Sequence, residues 1–395
     1  MEDYTIMAIN IENLIDALQA KINLADSDDT NVELGRLTRG SELVRNLNNF
    51  FSYHNYDIPS SEDDNIGEFI YDTTQNNWKV SHNYEWKTVP LDEANVVDQF
   101  PVITAFQGTS KGFVSGGDAT SAVISFDFPS GSNVSTVTNL SGSRSRLAGM
   151  SDRVNGHGYN AGGSPGTTNV IERFNYASPV SNTDVGDLSL SRSEASGQTD
   201  LGKGNGYVSS GNAGSTFTNN VEKFSFASSS SGSSVGALTE TVSSTASQTT
   251  RYDGYVTSGR TGGTASTTNI DRFPYWFPFT VASVGDLNTA RSYVSGQSST
   301  DNGYASGGFD GTGNNISSIE KFSFAIPVTS TTIGNLTAAK RETSGQSSTV
   351  SGFVSGGFTG SAVNTIESFP FASDTNATSV GTISTTVSGS AGQQD

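Results

Sequence analysis

The sequence predicts a mainly β protein, a six-bladed β-propeller preceded by a small α+β domain. A glycine followed by an aromatic residue recurs at steps of 46, 48, 48, 49 and 49 residues. Each repeat holds four short strand-like segments, and a period in the forties with four strands is typical of a propeller blade. Gly, Ser, Thr and Asn crowd the chain, as expected for narrow strands joined by tight turns. The recurring aromatic residues are Phe113, Tyr159, Tyr207, Tyr255, Tyr304 and Phe353.

The chain is predicted to divide into residues 1–98, an anchor or assembly domain, and residues 99–395, the propeller. Near the N-terminus, Leu14, Leu18 and Ile22 belong to a set of apolar residues at three- and four-residue steps. This pattern predicts an amphipathic helix, whose apolar stripe needs a partner. The partner is a second helix of the same domain or another copy of the chain, so this region could make the protein a homo-oligomer.

Residues 68–89 alternate aromatic and polar side chains around the sequence Thr-Thr-Gln-Asn-Asn. Alternation with period two on both sides of a polar turn predicts a β-hairpin or a small meander with an aromatic face. Residues 90–102, with Pro90 and Pro101 near their ends, are interpreted as a linker into the propeller.

Within each repeat we assign four strands, a to d. Strand a contains Ser-Gly-Gln, strand b Gly-aromatic-Val-Ser-Gly-Gly, strand c Ile-Glu-Lys-Phe-Ser-Phe, and strand d leads into Val-Gly-x-Leu. Side chains alternate along a strand, so the two aromatic residues of strand c share a face. Each aromatic side chain buries roughly 150–250 Å², and we expect these pairs to pack between blades. They are Phe126 and Phe128, Phe174 and Tyr176, Phe224 and Phe226, Phe273 and Tyr275, Phe322 and Phe324, and Phe369 and Phe371.

Two segments compete for strand a of the first blade, residues 105–110 and residues 387–393. The C-terminal segment keeps the lead-in of the other repeats and reaches Gln393 at the usual spacing. We favour closure of the ring by the C-terminal segment, with the N-terminal one as the alternative.

An arginine before strand a and a glutamate in strand c vary together along the chain. Pairing each arginine with the glutamate of the following repeat leaves no arginine alone, because the first blade has Val387 and Ile124 in these positions. In the fourth blade Val242 faces the shorter Asp271. The sequence therefore predicts a buried ion pair in each of the other blades, which fixes registry rather than adding stability. The predicted pairs are Arg144–Glu172, Arg192–Glu222, Arg291–Glu320 and Arg341–Glu367.

The Gly-Gly after strand b, the Glu-x-aromatic of strand c and the arginine before strand a resemble a kelch repeat. The resemblance implies a propeller and covers about three quarters of the chain. It departs from the kelch pattern in strand d, where a tryptophan is expected and residues 235–238 read Val-Gly-Ala-Leu.

The amino-acid sequences of the repeats, and of the Asn- and Thr-rich hairpin before them, also resemble virion structural proteins of marine tailed bacteriophages, such as cyanophages. This resemblance implies a tail, fibre or capsid appendage, made in the host cytoplasm and located in the phage particle. Its expected partners are other virion proteins and a glycan or protein of the host surface.

Composition excludes several other functions. A formal charge of −18 and the lack of clustered Lys and Arg argue against nucleic-acid binding. The chain has no Cys, which excludes disulfides and thiolate chemistry. His54, His82 and His157 are scattered, so neither a His-based metal site nor a Ser-His-Asp arrangement has its residues. No signal peptide is visible, and residues 275–282 are too short to cross a bilayer.

We therefore expect no catalytic residues, no metal, no cofactor and no membrane partner, and a protein that is not an enzyme. The alternative is a glycosidase-like propeller that degrades host surface polysaccharide, since carboxylates are numerous. The repeated Gln198, Gln248, Gln297, Gln346 and Gln393 are interpreted as a channel lining satisfied by hydrogen bonds.

Residues that break the repeat are the candidates for function. Trp276, Phe277 and Phe279 fill the turn between strands c and d of the fourth blade, where sister blades have small or polar residues. Large apolar side chains at a turn tip indicate a contact. We predict docking against the N-terminal domain or a neighbouring subunit, with a local cluster as the alternative.

On the opposite face, the turns between strands b and c are rich in Gly, Thr and Asn, as expected for glycan or protein recognition by loops on a rigid scaffold. Residues 309–315 are predicted to form a turn, with a Ca²⁺ site on their Asp and Asn oxygens as the less favoured interpretation. The distinctive candidates for ligand binding are Phe217, Arg260, Phe309, Asp310 and Asn314.

Overall fold

The computed structural model describes residues 106–395 except 119, 178–180, 228–230, 264, 277–278 and 326–327, together with the backbone of three strands between residues 69 and 89. The chain divides into two compact units, Met1–Val102 and Ile103–Asp395. In the first unit, β1 (Phe69–Asp72), β2 (Asn77–His82) and β3 (Glu85–Val89) form an antiparallel sheet in that order. This meander lies where the alternating pattern placed one. The predicted helix, with Leu14, Leu18 and Ile22, lies outside the described residues.

The second unit is a six-bladed β-propeller, and no helix occurs among its described residues. Each blade is a four-stranded antiparallel sheet, here given from the innermost strand a to the outermost strand d. Blade 1 consists of β27 (Ala391–Gln394), β4 (Lys111–Ser115), β5 (Ala122–Asp127) and β6 (Ser132–Asn139). Blade 2 consists of β7 (Ala148–Asp152), β8 (His157–Ala161), β9 (Thr168–Asn175) and β10 (Asn182–Arg192). Blade 3 consists of β11 (Ser196–Asp200), β12 (Asn205–Ser209), β13 (Thr218–Ser225) and β14 (Ser233–Val242).

The last three blades repeat this plan. Blade 4 consists of β15 (Ala246–Thr249), β16 (Asp253–Gly262), β17 (Ala265–Pro274) and β18 (Ala282–Arg291). Blade 5 consists of β19 (Ser295–Ser298), β20 (Asn302–Ser306), β21 (Ser318–Ser323) and β22 (Ser330–Asn335). Blade 6 consists of β23 (Ser344–Ser347), β24 (Ser351–Ser355), β25 (Val363–Pro370) and β26 (Thr378–Val387). The innermost strands contact one another in a closed cycle, from β7 through β11, β15, β19 and β23 to β27 and back to β7.

The C-terminal strand closes the ring, as favoured from the sequence. Strand β27 pairs with β4, so that Gln393 lies opposite Phe113. The competing N-terminal segment instead makes a parallel bridge from Gly108 to Ser348 of blade 6. The first blade therefore combines strands from both ends of the propeller sequence, and neither end can leave without removing a strand from a sheet.

Aromatic side chains fill every boundary between blades, as predicted. The strand-b aromatic residue of one blade packs against both strand-c aromatic residues of the next; the ring centroid of Tyr255, for example, lies 6.0 Å from that of Phe322 and 4.8 Å from that of Phe324. The glycine before each strand-b aromatic residue leaves room for the ring, since a Cβ on Gly303 would lie 2.3 Å from Phe322. The other five boundaries join Phe113 to Phe174 and Tyr176, Tyr159 to Phe224 and Phe226, Tyr207 to Phe273 and Tyr275, Tyr304 to Phe369 and Phe371, and Phe353 to Phe126 and Phe128.

The predicted ion pairs form in three blades, namely Arg144–Glu172, Arg192–Glu222 and Arg291–Glu320. Each arginine also donates to two backbone carbonyls of the blade that holds its glutamate, as Arg291 does to Gly307 and Ser318 of blade 5 at 3.0 Å. Burial lowers the pKa of the Arg291 guanidinium, and Glu320 opposes this effect. These contacts tie the strand entering each blade to strands b and c of that blade.

The predicted pair Arg341–Glu367 is wrong, because Lys340 forms the ion pair with Glu367. In blades 2, 3 and 5 the arginine of the ion pair occupies a position that we call the ion-pair slot. It lies six residues before the strand-a glutamine, as Arg291 lies before Gln297. Lys340 has this spacing from Gln346. A lysine in the slot was overlooked because the neighbouring Arg341 matched the residue type of the other repeats.

The glutamines of strand a form hydrogen bonds, as predicted, although Gln248 Oε1 has no partner among the described residues. They do not line an open channel. Their exposure is 0–1%. Each donates its amide N–H to the carbonyl of the strand-b aromatic residue in the next blade, as Gln346 does to Phe113 at 3.0 Å. The small residues beside them face the axis, where a Cβ on Gly296 would lie 2.0 Å from the carbonyl oxygen of Ser247. Blade 2 has Met150 in the glutamine position.

Candidate functional site

One face of the propeller gathers the residues that differ between blades. In an antiparallel blade, the b–c turn and the link from strand d to the next strand a lie at the same end. We call this end the b–c face. Its residues are those following the Gly-Gly of strand b and those around the ion-pair slot, and the a–b and c–d turns lie at the opposite end. Since the repeated residues are used for packing between blades, this face is where the propeller can differ from a plain scaffold.

Six residues, one from each blade and two positions after the ion-pair slot, surround the axis on the b–c face. We call them the mouth ring. All six have positive φ, between 54° and 65°. Such a backbone costs roughly 1–2 kcal/mol for a residue other than glycine, and strained residues of this kind are concentrated at functional sites. The mouth ring consists of Arg146, Glu194, Ser244, Tyr293, Glu342 and Gly389.

The backbone of the mouth ring forms a closed cycle of six hydrogen bonds. Each N–H donates to the carbonyl of the mouth-ring residue in the preceding blade, at 2.5–2.9 Å. The cycle explains why left-handed backbone is retained with five different residue types, since this conformation directs each N–H to the carbonyl of its neighbour. The scaffold therefore fixes the backbone of the mouth ring and leaves the side chains free to differ.

The side chains of the mouth ring form a charged cluster around a cavity of about 120 Å³, which is large enough for several water molecules. Arg146 Nη2 lies 3.2 Å from Glu342 Oε1, and Arg146 Nε lies 4.0 Å from Glu194 Oε1. Burial acts to lower the pKa of Arg146, but the two carboxylates outweigh it and raise that pKa. The Arg146 side chain is 33% exposed, so the cluster is accessible to a ligand.

Glu194 links the mouth ring to the b–c turns. Its Oε2 accepts hydrogen bonds from Ser243 and Ser244, and it pairs with Arg260 Nη2 at 3.0 Å. The Arg260 guanidinium lies 4.9 Å from the ring centroid of Phe217 and 5.4 Å from that of Tyr293. Two residues predicted from the sequence as ligand contacts, Phe217 and Arg260, are thus brought together at the mouth ring.

Tyr293 completes this side of the mouth. Burial raises the pKa of its hydroxyl, and the nearby Glu194 carboxylate adds to the effect. The hydroxyl therefore stays protonated at neutral pH and can act as a hydrogen-bond donor.

Asp310 and Asn314 form a turn, as predicted for residues 309–315. Both carboxylate oxygens of Asp310 accept hydrogen bonds, from the backbone and side chain of Thr312 and of Asn314. The bond from the Asn314 amide and that from the Thr312 N–H lower the pKa of the carboxyl group. Asp310 thus serves the turn with both of its oxygens, and the described residues include no group of acidic and His residues arranged to hold a metal ion.

Phe309 belongs to a second arginine cluster on the same face. The Arg341 guanidinium lies 5.1 Å from the ring centroid of Phe309 and 4.7 Å from that of Phe358. Its Nη1 donates to Asn315 Oδ1 at 2.9 Å, and Asn315 in turn donates to the carbonyl of Phe358. We call Arg341, Phe309 and Phe358 the arginine sandwich.

Two of the predicted partner-contact residues, Trp276 and Phe279, lie near the c–d turn of blade 4, at the opposite end of the propeller. Trp276 packs edge-on against Tyr252 at 6.2 Å. Phe279 is half-buried and packs against Tyr207 and Phe273, which places it in the boundary between blades 3 and 4. Phe277 lies outside the described residues, as do Leu14, Leu18 and Ile22. A partner contact by Trp276 stays a prediction.

The mouth ring could not be predicted from recurring residues, because its six positions share no single residue type. The mouth-ring positions hold a different side chain in almost every blade and show no repeated letter. Their signal is positional, since each lies four residues before the strand-a glutamine or, in blade 2, before Met150. An alignment of the six repeats on that position shows a column of Arg, Glu, Ser, Tyr, Glu and Gly next to a column of five serines and Arg341.

Comparison with known proteins supports the fold alone. No protein-family model matches the chain, and no curated protein matches it. The chain is similar to the solved structure of YjhT, with a TM-score of 0.54 and 13% sequence identity, over 63% of this chain and 86% of that one. The protein is thus a six-bladed β-propeller with a fold compatible with a binding or structural role. Among the described residues, no helix is both long and apolar enough to cross a membrane.

Proposed function

We propose that the protein is a non-enzymatic structural protein of a tailed-phage virion, an appendage of the tail or fibre type. Its N-terminal region attaches it to other virion proteins, and its kelch-like propeller recognises a glycan or protein of the host surface. The resemblance of the repeats and of the preceding hairpin to marine phage virion proteins supports the virion part of the proposal. The protein would be made in the host cytoplasm and incorporated into the particle.

The mouth ring is the observation that supports a binding role. Residues that recur in the propeller hold blades together, whereas the side chains around the axis differ from blade to blade. Arg146, Glu194, Tyr293 and Glu342 supply charged groups and a hydroxyl around one cavity, with Arg260 at its edge. A concave site with a few converging polar groups on a rigid scaffold is typical of ligand recognition.

A polysaccharide-degrading enzyme is the second candidate, favoured by the two carboxylates of the mouth ring. Hydrolysis of a glycosidic bond needs one carboxyl group that holds a proton and a second that is ionised. Glu342 and Glu194 both contact arginines, at 3.2 Å and 3.0 Å respectively. Each carboxylate is thus held in an ion pair with a guanidinium, an arrangement that suits hydrogen bonding to a ligand. Binding without cleavage is therefore the proposed activity.

The two candidates are separated by measuring retention and cleavage with the same full-length protein. We expect purified protein to retain glycans on an array of cell-surface saccharides and to release no reducing sugar from them. Glu342→Gln should weaken retention, because it removes the charge that faces Arg146. Release of reducing sugar that is lost in the Glu342→Gln variant would overturn the proposal and favour the enzyme.

The attachment role of the N-terminal region is tested by deletion of residues 1–98. We expect the full-length protein to assemble with other virion proteins or with itself, and the truncated chain to remain a soluble monomer. Labelled antibody against the propeller should decorate purified phage particles. Particles without the protein would contradict the virion assignment, whereas labelled particles whose propeller retains no host component would indicate a scaffold between virion proteins.

A further inference from the structure

We propose that the arginine sandwich is the anchor for an acidic saccharide, one that bears a carboxylate or sulfate group. The proposal rests on the proposed binding function and names the chemistry of the ligand. Arg341 donates to the oxyanion, while Phe309 and Phe358 hold the guanidinium and contact the sugar ring.

The repeat shows that Arg341 is not needed for the fold at its position. The residue directly after the ion-pair slot is serine in each of the other five blades. In blade 6 the backbone of Arg341 exchanges two hydrogen bonds with Phe358, at 3.2 and 2.8 Å. The serines of four other blades exchange the same two bonds with their own b–c turns. Because serine is sufficient for this backbone role, the arginine side chain is free for another. The five serines are Ser145, Ser193, Ser243, Ser292 and Ser388.

The charge of Arg341 is not neutralised by a carboxylate of the described residues, none of which lies within 4.0 Å of its guanidinium. Lys340 occupies the ion-pair slot and forms the ion pair with Glu367. Arg260 provides the contrast, because it also lies over aromatic rings but pairs with Glu194 at 3.0 Å. Arg341 bonds through Nη1 to the neutral Asn315. In the described part of the chain, the Arg341 guanidinium therefore has a neutral hydrogen-bond partner and no anionic one, and an oxyanion of a ligand would supply the missing negative charge.

The geometry of the sandwich suits a ligand with an oxyanion on a ring. A guanidinium between two aromatic faces loses little conformational freedom on binding and presents a planar fork that matches a carboxylate or sulfate. Both phenylalanine rings are half-buried and flank this fork. Their remaining apolar surface can pack against the C–H face of a sugar.

The net negative charge of the chain means that contacts at the arginine sandwich must account for the retention of an acidic saccharide. A protein with a formal charge of −18 repels polyanions at long range. An acidic saccharide must therefore be held by short-range contacts at the sandwich rather than by a diffuse basic surface. We expect retention to depend on the identity of residue 341 far more than on total charge.

The test uses the full-length protein on an array of uronate-bearing and sulfated oligosaccharides. Methyl-esterified uronates are the matched neutral ligands, and inorganic sulfate and phosphate are added as competitors. Arg341→Met keeps an unbranched apolar side chain between the rings and removes the charge, while Arg341→Lys keeps the charge and removes the fork. The matched control is Arg251→Met, since Arg251 lies 5.4 Å over Tyr252 at the opposite end of the propeller.

We expect retention of acidic saccharides to fall at least tenfold in Arg341→Met, to fall in part in Arg341→Lys, and to be unchanged in Arg251→Met. The methyl esters should be retained no better by the wild type than by Arg341→Met. Preference for uronates over sulfates, or the reverse, identifies the oxyanion. Full displacement by free sulfate or phosphate alone would contradict the contact of the sugar ring with Phe309 and Phe358, because the sugar would then add nothing to the affinity. Retention of neutral glycans or host proteins only would overturn this inference and leave the proposed function standing. Retention of no host component would overturn both.

Discussion

Lys340 Nζ lies 2.5 Å from Glu367 Oε1 in a position where both side chains are at most 1% exposed. The same ammonium group donates to Thr365 Oγ1 at 2.8 Å, and the Glu367 carboxylate also accepts from the backbone and side chain of Thr337. The pair thus connects the strand entering blade 6 with strand c of that blade. It also releases Arg341 from the structural role that arginine has in blades 2, 3 and 5.

Replacing Glu367 by alanine should destabilise the propeller strongly. The substitution leaves the Lys340 ammonium buried without its counter-ion, and breaking a buried pair in this way costs about 3–5 kcal/mol of the free energy of unfolding. Denaturant unfolding of the two proteins measures the difference. Asp374→Ala is the control, because Asp374 pairs with Lys321 at the surface and should cost about 0–1 kcal/mol. Equal effects of the two substitutions would show that Lys340 finds another partner or water.

Replacing Gln346 by methionine should weaken the boundary between blades 6 and 1. The amide of Gln346 donates to the carbonyl of Phe113, and its Oε1 accepts from Ser355. Methionine has a similar shape but leaves these buried groups unpaired, which costs about 1–3 kcal/mol of the free energy of unfolding. Met150 shows that blade 2 accepts methionine in this position, so the variant should fold, and thermal unfolding measures the loss. An unchanged midpoint would mean that water replaces both bonds.

Removing residues 391–395 should prevent the propeller from folding cooperatively. The deletion takes away β27, which supplies the innermost strand of blade 1 and contacts β23 and β7. Circular dichroism and denaturant titration should show a broad transition of a partly folded chain. A synthetic peptide of residues 387–395 added to the truncated chain should restore the sharp transition by strand addition.

The control for that experiment is the same peptide with Gly392→Val. A Cβ on Gly392 would lie 2.1 Å from the carbonyl oxygen of Gly345, so the altered strand cannot approach β23. Restoration by both peptides would contradict the requirement for close contact at the axis.

Alkaline pH should destabilise the propeller through its buried tyrosines. Burial raises the pKa of Tyr159 to about 12, from 10.0 for an unperturbed tyrosine. Between these values the unfolded chain loses the proton and the folded chain keeps it, so stability should fall as the pH rises from 10 towards 12. Burial raises the pKa of Tyr207 and Tyr255 in the same direction. Denaturant unfolding over this pH range measures the slope.

Tyr159→Phe is the matched variant for the pH experiment, since Phe113 and Phe353 hold the same position in blades 1 and 6. It should reduce the loss of stability at high pH. An identical slope in the variant and the wild type would exclude Tyr159 as a contributor.

The sequence predicted what the six blades share. The period, the strand order, the aromatic residues between blades and three of the ion pairs depend on the same side chain recurring at the same place. The C-terminal closure was predictable for the same reason, since Gln393 keeps the spacing of Gln346. Features in which blades differ were harder to recognise. Lys340 carries the same charge as the arginines of the other ion pairs but is a different residue type. Only its spacing from Gln346 indicates that it occupies their position.

The mouth ring was beyond the reach of pattern reasoning for a physical reason. Its geometry depends on a backbone conformation with positive φ, which most residues other than glycine avoid. The residue types of Arg146, Glu194 and Tyr293 do not predict this conformation. Contacts across the axis, such as that of Arg146 with Glu342, join residues 196 positions apart. The prediction of recognition by the b–c turns named Arg260 and Phe217, but not the residues that they meet.

The closed cycle of main-chain hydrogen bonds around the mouth has a consequence for how such a protein changes through evolution. A seventh repeat could be added, or one lost, only by opening the cycle, so the copy number of blades is locked. Substitutions at the same six positions leave every bond of the cycle intact. A lineage can therefore diversify what the opening recognises by single codon changes while inheriting the architecture unaltered.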